Sequence, residues 1–267
     1  MTEKNTFSHT TGSLIACGDA DIYVEEIGRS ELSALVMLHG GFGNIEDLNT
    51  ITPALCRQFR LIGIDSRGHG KSNLGNTDLS YELLADDLAQ VIETLQLKEF
   101  NIFGFSDGGI AAYRYAVRKN PELKKIISVG ARWEMSKEDP AWEMLFGMTG
   151  DLWKQMFPHS YESYMRLNPK PDFDRFAEAV VSMWTDLSSS GHPRDLMAQI
   201  TNEMLVVRGD NDPLTTLDSI AKLRGISKNT NIFNIPFAEH VAFDDATDVF
   251  LMAVDRFFDS KRAVVSA

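Results

Sequence analysis

Only two cysteines, Cys17 and Cys56, occur in 267 residues. That is too few for a disulfide framework or a structural zinc site, and it fits thiols kept reduced. No run of about 18 apolar residues is present, so no membrane-spanning helix is expected. Met1 to Asn5 are polar and carry an acid, with no apolar stretch behind them. No signal peptide is therefore expected, and the cytoplasm is the expected compartment. Positive charge is also scarce: 26 Lys and Arg stand against 38 Asp and Glu, a net charge of −12. So acidic a surface repels phosphate backbones and anionic lipid, which excludes nucleic acid and membrane as expected partners. Repeats and low-complexity segments are missing too. What is there is an ordinary globular mixture, 43% hydrophobic and 24% charged. The chain is long enough to bury a full core, so disorder is not its main state.

Short apolar runs alternate with amphipathic stretches. The pattern predicts strands at 21–27, 34–38, 59–64, 100–105 and 125–129, with helices at 48–58, 81–95 and 109–118 between them. This alternation implies βαβ units and a parallel sheet. From 133 to 200 no strand pattern occurs, only helical periodicity broken by Pro140, Pro158, Pro169, Pro171 and Pro193. The rhythm then resumes with strands at 204–207 and 232–235 and helices at 217–223 and 245–258. The expected fold class is α/β, a mostly parallel central sheet flanked by helices. Its core spans 1–132 and 201–267, and a helical cap of residues 133–200 interrupts it. That interruption is too long for an ordinary loop. All four tryptophans, Trp133, Trp142, Trp153 and Trp184, fall in or beside it, with many of the methionines. They either form the segment's own core or line an apolar substrate pocket. On the second reading the candidate substrate contacts are these four tryptophans with Phe42 and Asp107.

Gly104-Phe105-Ser106-Asp107-Gly108 matches G-x-S-x-G and sits between a predicted strand and a predicted helix. A nucleophile elbow needs that setting, and small residues on either side let neighbouring chain pass close. A serine hydroxyl needs a base, and the base needs a group to fix its tautomer. Two later strands end in suitable loops, Arg208-Gly209-Asp210-Asn211-Asp212-Pro213 and Pro236-Phe237-Ala238-Glu239-His240. Both follow carboxyl ends of parallel strands, where open α/β sheets place their sites. The order Ser106, Asp212, His240 is the hydrolase order of serine, acid and histidine. Asp212 is preferred to Asp210, which could brace its own turn. Of the other histidines, His9 lies in the tail, His39 and His69 sit in glycine-rich loops as structural hydrogen-bonders, and His159 and His192 fall in the cap. An oxyanion needs two preorganised N–H donors. The backbone of Asp107 should supply one, and the loop His39-Gly40-Gly41-Phe42-Gly43 the other, from Gly41 or alternatively Phe42.

Other motifs fail. Gly70-Lys71-Ser72 resembles the end of a phosphate loop, but Asp65 stands where its first glycine belongs and no helix follows at once. Asp210-Asn211-Asp212 opens like a calcium loop, which Pro213 breaks. H-E-x-x-H and C-x-x-C do not occur, so no metal and no cofactor are expected.

Together these pieces resemble the α/β-hydrolase superfamily over nearly the whole chain: His39-Gly40-Gly41, Asp65-Ser66-Arg67-Gly68-His69-Gly70-Lys71-Ser72, the elbow at Ser106, Gly209-Asp210-Asn211-Asp212-Pro213, and His240 before a final helix. The resemblance implies the α/β-hydrolase fold with a helical cap inserted after the sixth strand. It also implies a bracing role for Arg67 and Ser72, and Asp212 as the acid. Serine at the elbow separates the chain from dehalogenases and epoxide hydrolases, which carry aspartate there. Ser106-Asp107-Gly108-Gly109 is similar to the elbow of the biphenyl hydrolase-like (valacyclovirase) group, in which the aspartate after the serine is associated with recognising the α-amino group of amino-acid esters. The implied function is a serine hydrolase cleaving small carboxylic esters, a monomer or homodimer. A C–C bond hydrolase, a thioesterase, an amidase or a slow-turnover ligand sensor would use the same triad.

Overall fold

The computed structural model describes residues 5–259. Among these residues eight strands form one sheet: β1 (Ser13–Cys17), β2 (Ala20–Ile27), β3 (Ala34–Leu38), β4 (Arg60–Ile64), β5 (Phe100–Phe105), β6 (Leu123–Val129), β7 (Glu203–Gly209) and β8 (Thr230–Ile235). Their spatial order is β1-β2-β4-β3-β5-β6-β7-β8. From β4 to β8 neighbouring strands pair in parallel, while β2 runs antiparallel to both β1 and β4. Every residue of β3 is buried, as its unbroken apolar sequence Ala-Leu-Val-Met-Leu requires of a strand covered on both faces. The sequence pattern missed β1. It is an edge strand with three of its five residues exposed, joined to β2 by a two-residue hairpin at Gly18-Asp19, so little burial marks it.

Among the described residues ten helices surround the sheet: α1 (Thr52–Leu55), α2 (Tyr81–Thr94), α3 (Asp107–Ala116), α4 (Trp142–Phe146), α5 (Gly150–Met156), α6 (Pro158–Leu167), α7 (Phe173–Trp184), α8 (Leu217–Ile226), α9 (Ala242–Asp245) and α10 (Thr247–Asp259). Two expected helices are shorter or divided. The stretch 48–58 holds only a 3₁₀ turn ending at Leu48 and the single turn α1, because Pro53 can sit at a helix start but not inside one. The stretch 245–258 divides at Ala246 into α9 and α10. Strand alternation sorts the core into two layers. Val36, Ile62, Ile102 and Val206 pack with α2, α3 and α8. Leu35, Met37, Leu61 and Phe103 pack on the opposite face with α9 and α10.

The topology gathers the loops after β3, β5, β6, β7 and β8 on one rim. The chain leaves β3 for β4 on one side and returns to β5 on the other, so the loops after β3 and β5 meet at a topological switch point. The final register pairs are Leu38↔Gly104, Phe105↔Val129, Val129↔Val207 and Gly209↔Ile235. The carboxyl ends of β3, β5, β6, β7 and β8 therefore lie level. Residues 133–200 contain no strand and reach back over this rim. Ser160 Oγ donates to the Phe42 carbonyl at 2.8 Å, and Asn168 Nδ2 donates to the carbonyls of Gly68 and Ser72 at 3.0 Å. In α7 the buried residues Phe173, Phe176, Ala177, Val180, Met183 and Trp184 fall at helical spacing and form its inward face. Among the described residues no helix is long and apolar enough to cross a membrane, and no disulfide joins Cys17 to Cys56.

The turn after β4 is braced by buried charge. Arg67 is 1% exposed and binds Asp87 in bidentate fashion at 2.8 and 2.7 Å, Asp19 at 2.5 Å and the Cys17 carbonyl at 2.8 Å. It thereby ties the β1–β2 hairpin to α2. Burial alone would lower its pKa; the two carboxylates outweigh burial and raise it. Ser72 Oγ donates to the Asp65 carbonyl at 2.7 Å and accepts the Tyr23 N–H at 2.8 Å. Removing one member of a buried ion pair strands the other, so Arg67→Ala should cost about 3–5 kcal/mol of unfolding free energy. A urea melt reads this; a loss below about 1 kcal/mol would reduce the brace to an ordinary surface pair. His9, expected in the tail, is buried instead. Its ring bridges Glu46 and Asp65, both at 2.7 Å, because the chain before β1 folds back under the loop after β3.

Candidate functional site

Ser106 stands alone between the end of β5 and the start of α3, at φ 50° and ψ −117°. Backbone held there costs a non-glycine residue about 1–3 kcal/mol. The turn is pinned by the Ser106 N–H to the Val129 carbonyl at 2.8 Å and the Gly108 N–H to the His39 carbonyl at 3.1 Å. A Cβ on Gly104 would come within 2.5 Å of the Gly108 carbonyl oxygen, so the closure requires glycine. The turn exposes the serine at the carboxyl rim of the sheet.

His240, in the loop after β8, reaches both partners. Its Nε2 is 3.1 Å from Ser106 Oγ and its Nδ1 is 3.0 Å from Asp212 Oδ1. Asp212 is buried, and the same Oδ1 accepts the backbone N–H groups of Leu214 at 2.8 Å and Thr215 at 3.2 Å. Asp210 instead accepts from Asn234 Nδ2 at 3.0 Å at an exposed position and does not meet His240. Sequence reasoning passed over Gly130. A Cβ there would lie 2.8 Å from His240 Cε1, so this glycine at the end of β6 makes room for the ring. Its only signal was a lone glycine after a strand.

The loop after β3 is set by two histidines. His39 Nε2 accepts the Ser66 N–H at 3.0 Å while its Nδ1 lies 2.7 Å from the Gly40 carbonyl. His69 Nδ1 donates to the Arg67 carbonyl at 2.9 Å, and Nε2 accepts the Phe42 N–H at 3.1 Å. Burial and the neighbouring His39 push the His69 pKa down to about 3, which keeps Nε2 unprotonated as an acceptor. The Phe42 N–H is thus occupied, whereas among the described residues the Gly41 N–H donates to no protein group. The Asp107 N–H, at the first position of α3, has no intrahelical acceptor.

The Asp107 side chain is buried rather than solvated. Its carboxylate accepts the Tyr81 hydroxyl at 2.8 Å and the Trp184 indole N–H at 2.8 and 3.0 Å. Burial pushes its carboxyl above the usual range, opposed by those two donors. A cavity of about 480 Å³ opens over Ser106. Gly41, Asp107, His240, Trp153 and Trp184 all line it, and methionines 135, 144, 148 and 156 supply much of its apolar wall. Three expected contacts are absent from that wall. Phe42 lies behind it, stacked on Trp153 at 4.1 Å and 3% exposed. Trp133 is turned toward α8, its indole N–H donating to the Ser219 carbonyl at 3.0 Å. Trp142 stacks on Phe146 at 5.8 Å, its neighbour one turn along α4. Three further wall residues, Tyr81, Arg132 and His192, were missed because no local pattern singled them out.

A family model described as alpha/beta hydrolase fold matches residues 33–181, more than half of the chain. The protein belongs to the α/β-hydrolase fold family. It is 28% identical over 269 residues to the AB hydrolase superfamily protein YisY of Bacillus subtilis, covering 90% of this chain and 96% of that one. It is 23% identical to serine hydrolase BPHL of Mus musculus, covering 92% and 86%. Among solved structures, the esterase EaEST from Exiguobacterium antarcticum superposes with a TM-score of 0.78 at 22% identity, over 94% of this chain and all of that one. At that identity the structural likeness speaks for the fold.

Proposed function

We propose that this hydrolase cleaves small carboxylic esters through an acyl-enzyme formed on Ser106. The observation that carries the proposal is the unbroken Ser106–His240–Asp212 chain, at 3.1 and 3.0 Å, under an open cavity. His240 Nε2 takes the serine proton as Oγ attacks the ester carbonyl. Asp212 holds the proton on Nδ1 and stabilises the imidazolium that forms. The N–H groups of Gly41 and Asp107 receive the oxyanion, and His240 then returns its proton to the departing alcohol. Water attacks the acyl-enzyme by the same steps in reverse order. Residues 133–200 act as a cap that walls the acyl group from solvent with Trp153, Trp184 and the methionines. A panel of small esters, thioesters and dienones, followed by intact mass, tests this. A mass gain equal to the acyl group from an activated ester is expected; absence of any adduct under turnover would defeat it.

The same site favours an amine on the substrate. Asp107 lines the cavity beside the nucleophile, and its Oδ2 accepts one N–H, leaving a lone pair open. A substrate ammonium would restore the charge partner that burial denies this carboxyl. Asp107→Asn should therefore lower kcat/KM for an amino-acid ester about tenfold more than for a neutral ester of equal size. Equal losses on both would leave Asp107 only as the tie between elbow and cap.

A further inference from the structure

Residues that line the cavity and also stand in solvent mark its mouth. On the cap side these are Met144, Met156 and Phe157, which are 46%, 52% and 44% exposed. On the core side they are Pro213, Glu239 and Asp245, and the Asp245 carboxylate is held by the Glu239 backbone N–H at 2.7 Å. The mouth is therefore two-faced, apolar on the cap and acidic on the core. Single exposed apolar side chains need no account, but three that share one opening mark a surface that a ligand covers.

Phe157 is also the outer end of an aromatic row. Its ring lies 4.4 Å from that of Trp153, and Trp153 lies 6.1 Å from Trp184, whose indole N–H binds Asp107 next to the nucleophile. All three rings line the cavity. Both indole N–H groups are already engaged within the protein, Trp184 by Asp107 at 2.8 Å and Trp153 by Ser160 Oγ at 3.1 Å. The row thus offers a substrate carbon surface alone, running from beside Ser106 to the mouth. Ring faces and methionine thioethers make close dispersion contact with methylene or aryl groups and ask for no polar partner.

We infer that this row seats an elongated, uncharged apolar chain of the ester, which runs from the reacting carbonyl along Trp184 and Trp153 and leaves past Phe157, Met144 and Met156. The inference rests on the acyl-enzyme reading of the cavity and names its substrate class: esters whose chain reaches the mouth, rather than esters of acetate size. Each methylene laid on the row leaves water, and the chain end covers the half-exposed side chains of the cap rim. Glu239 and Asp245 across the mouth repel an anionic chain end, so the tail is neutral and lies on the cap side.

Two chain-length series test this, methyl esters from acetate to octanoate and acetates from methyl to octyl. Titration calorimetry with Ser106→Ala protein needs no turnover. In one of the two series affinity should rise about threefold per added methylene and continue to rise beyond butyl length. The series that responds identifies which part of the ester lies on the row. In the same background, Met156→Gln combined with Phe157→Ser should lower the octyl-to-butyl affinity ratio about tenfold. Leu152→Gln, on the same helix and exposed but outside the cavity wall, should leave that ratio within about twofold. All three side chains are exposed, so the fold tolerates these changes. Affinity that is flat, or stops rising at butyl length, in both series overturns the inference. So does a ratio that the mouth variant leaves unchanged, or that Leu152→Gln lowers equally. Fluorophosphonate labelling of the wild-type chain is scored separately: an unlabelled Ser106 would defeat the acyl-enzyme reading, while a labelled Ser106 with no dependence on chain length would defeat the aromatic row alone.

Discussion

Ser106→Ala should leave a correctly folded protein whose kcat on a small activated ester is lower by roughly 10⁵–10⁶-fold. The substitution deletes the one atom that, in the proposed mechanism, forms a bond to the acyl carbon, and it disturbs little else. The elbow keeps its unusual backbone, since its two pinning hydrogen bonds are made by backbone N–H groups and carbonyls. Alanine suffers the same strain at φ 50° as serine. His240 keeps Asp212, and the N–H donors of Gly41 and Asp107 remain, so a small residual rate from binding and oxyanion stabilisation should persist. Initial rates with an unchanged thermal midpoint give the check. A variant within about tenfold of wild type would remove Ser106 from the chemistry.

Asp212→Ala should lower kcat by about 10⁴-fold, less than loss of the nucleophile, because an unoriented histidine still acts as a base part of the time. The side chain does two things through one atom: Oδ1 orients His240 Nδ1 and is itself held by the N–H groups of Leu214 and Thr215. Asp210→Ala, two residues away, removes a contact to Asn234 and a 3.7 Å ion pair with Arg208, neither of which touches His240, and should change kcat by less than about twofold. Comparing the two alanine variants decides which acid serves the histidine. Equal effects, or a larger loss at Asp210, would overturn the assignment of Asp212.

How legible the protein was depends on whether the signal is local. The central strands stood out because burial on both faces leaves a continuous apolar run, as in β3. The edge strand β1 did not, because an exposed strand needs no such run. The elbow was visible because a tight turn needs glycine at fixed positions around one serine. His9 misled because a position near the chain start looks like a tail, and its burial between Glu46 and Asp65 depends on segments that follow much later.

From the sequence alone came the α/β alternation, the order of serine, acid and histidine, and the strand-free stretch of residues 133–200. Each of these is read from local patterns, one segment after another, where backbone geometry acts over a few positions. Tertiary structure decided which way side chains face. It brought Asp212 rather than Asp210 to His240, turned Trp153 and Trp184 into the cavity but Trp133 and Trp142 away, tied Asp107 to Tyr81 and Trp184, and left His192 bare. Those outcomes depend on strand register and on packing between residues up to a hundred or more positions apart, and no local pattern encodes them.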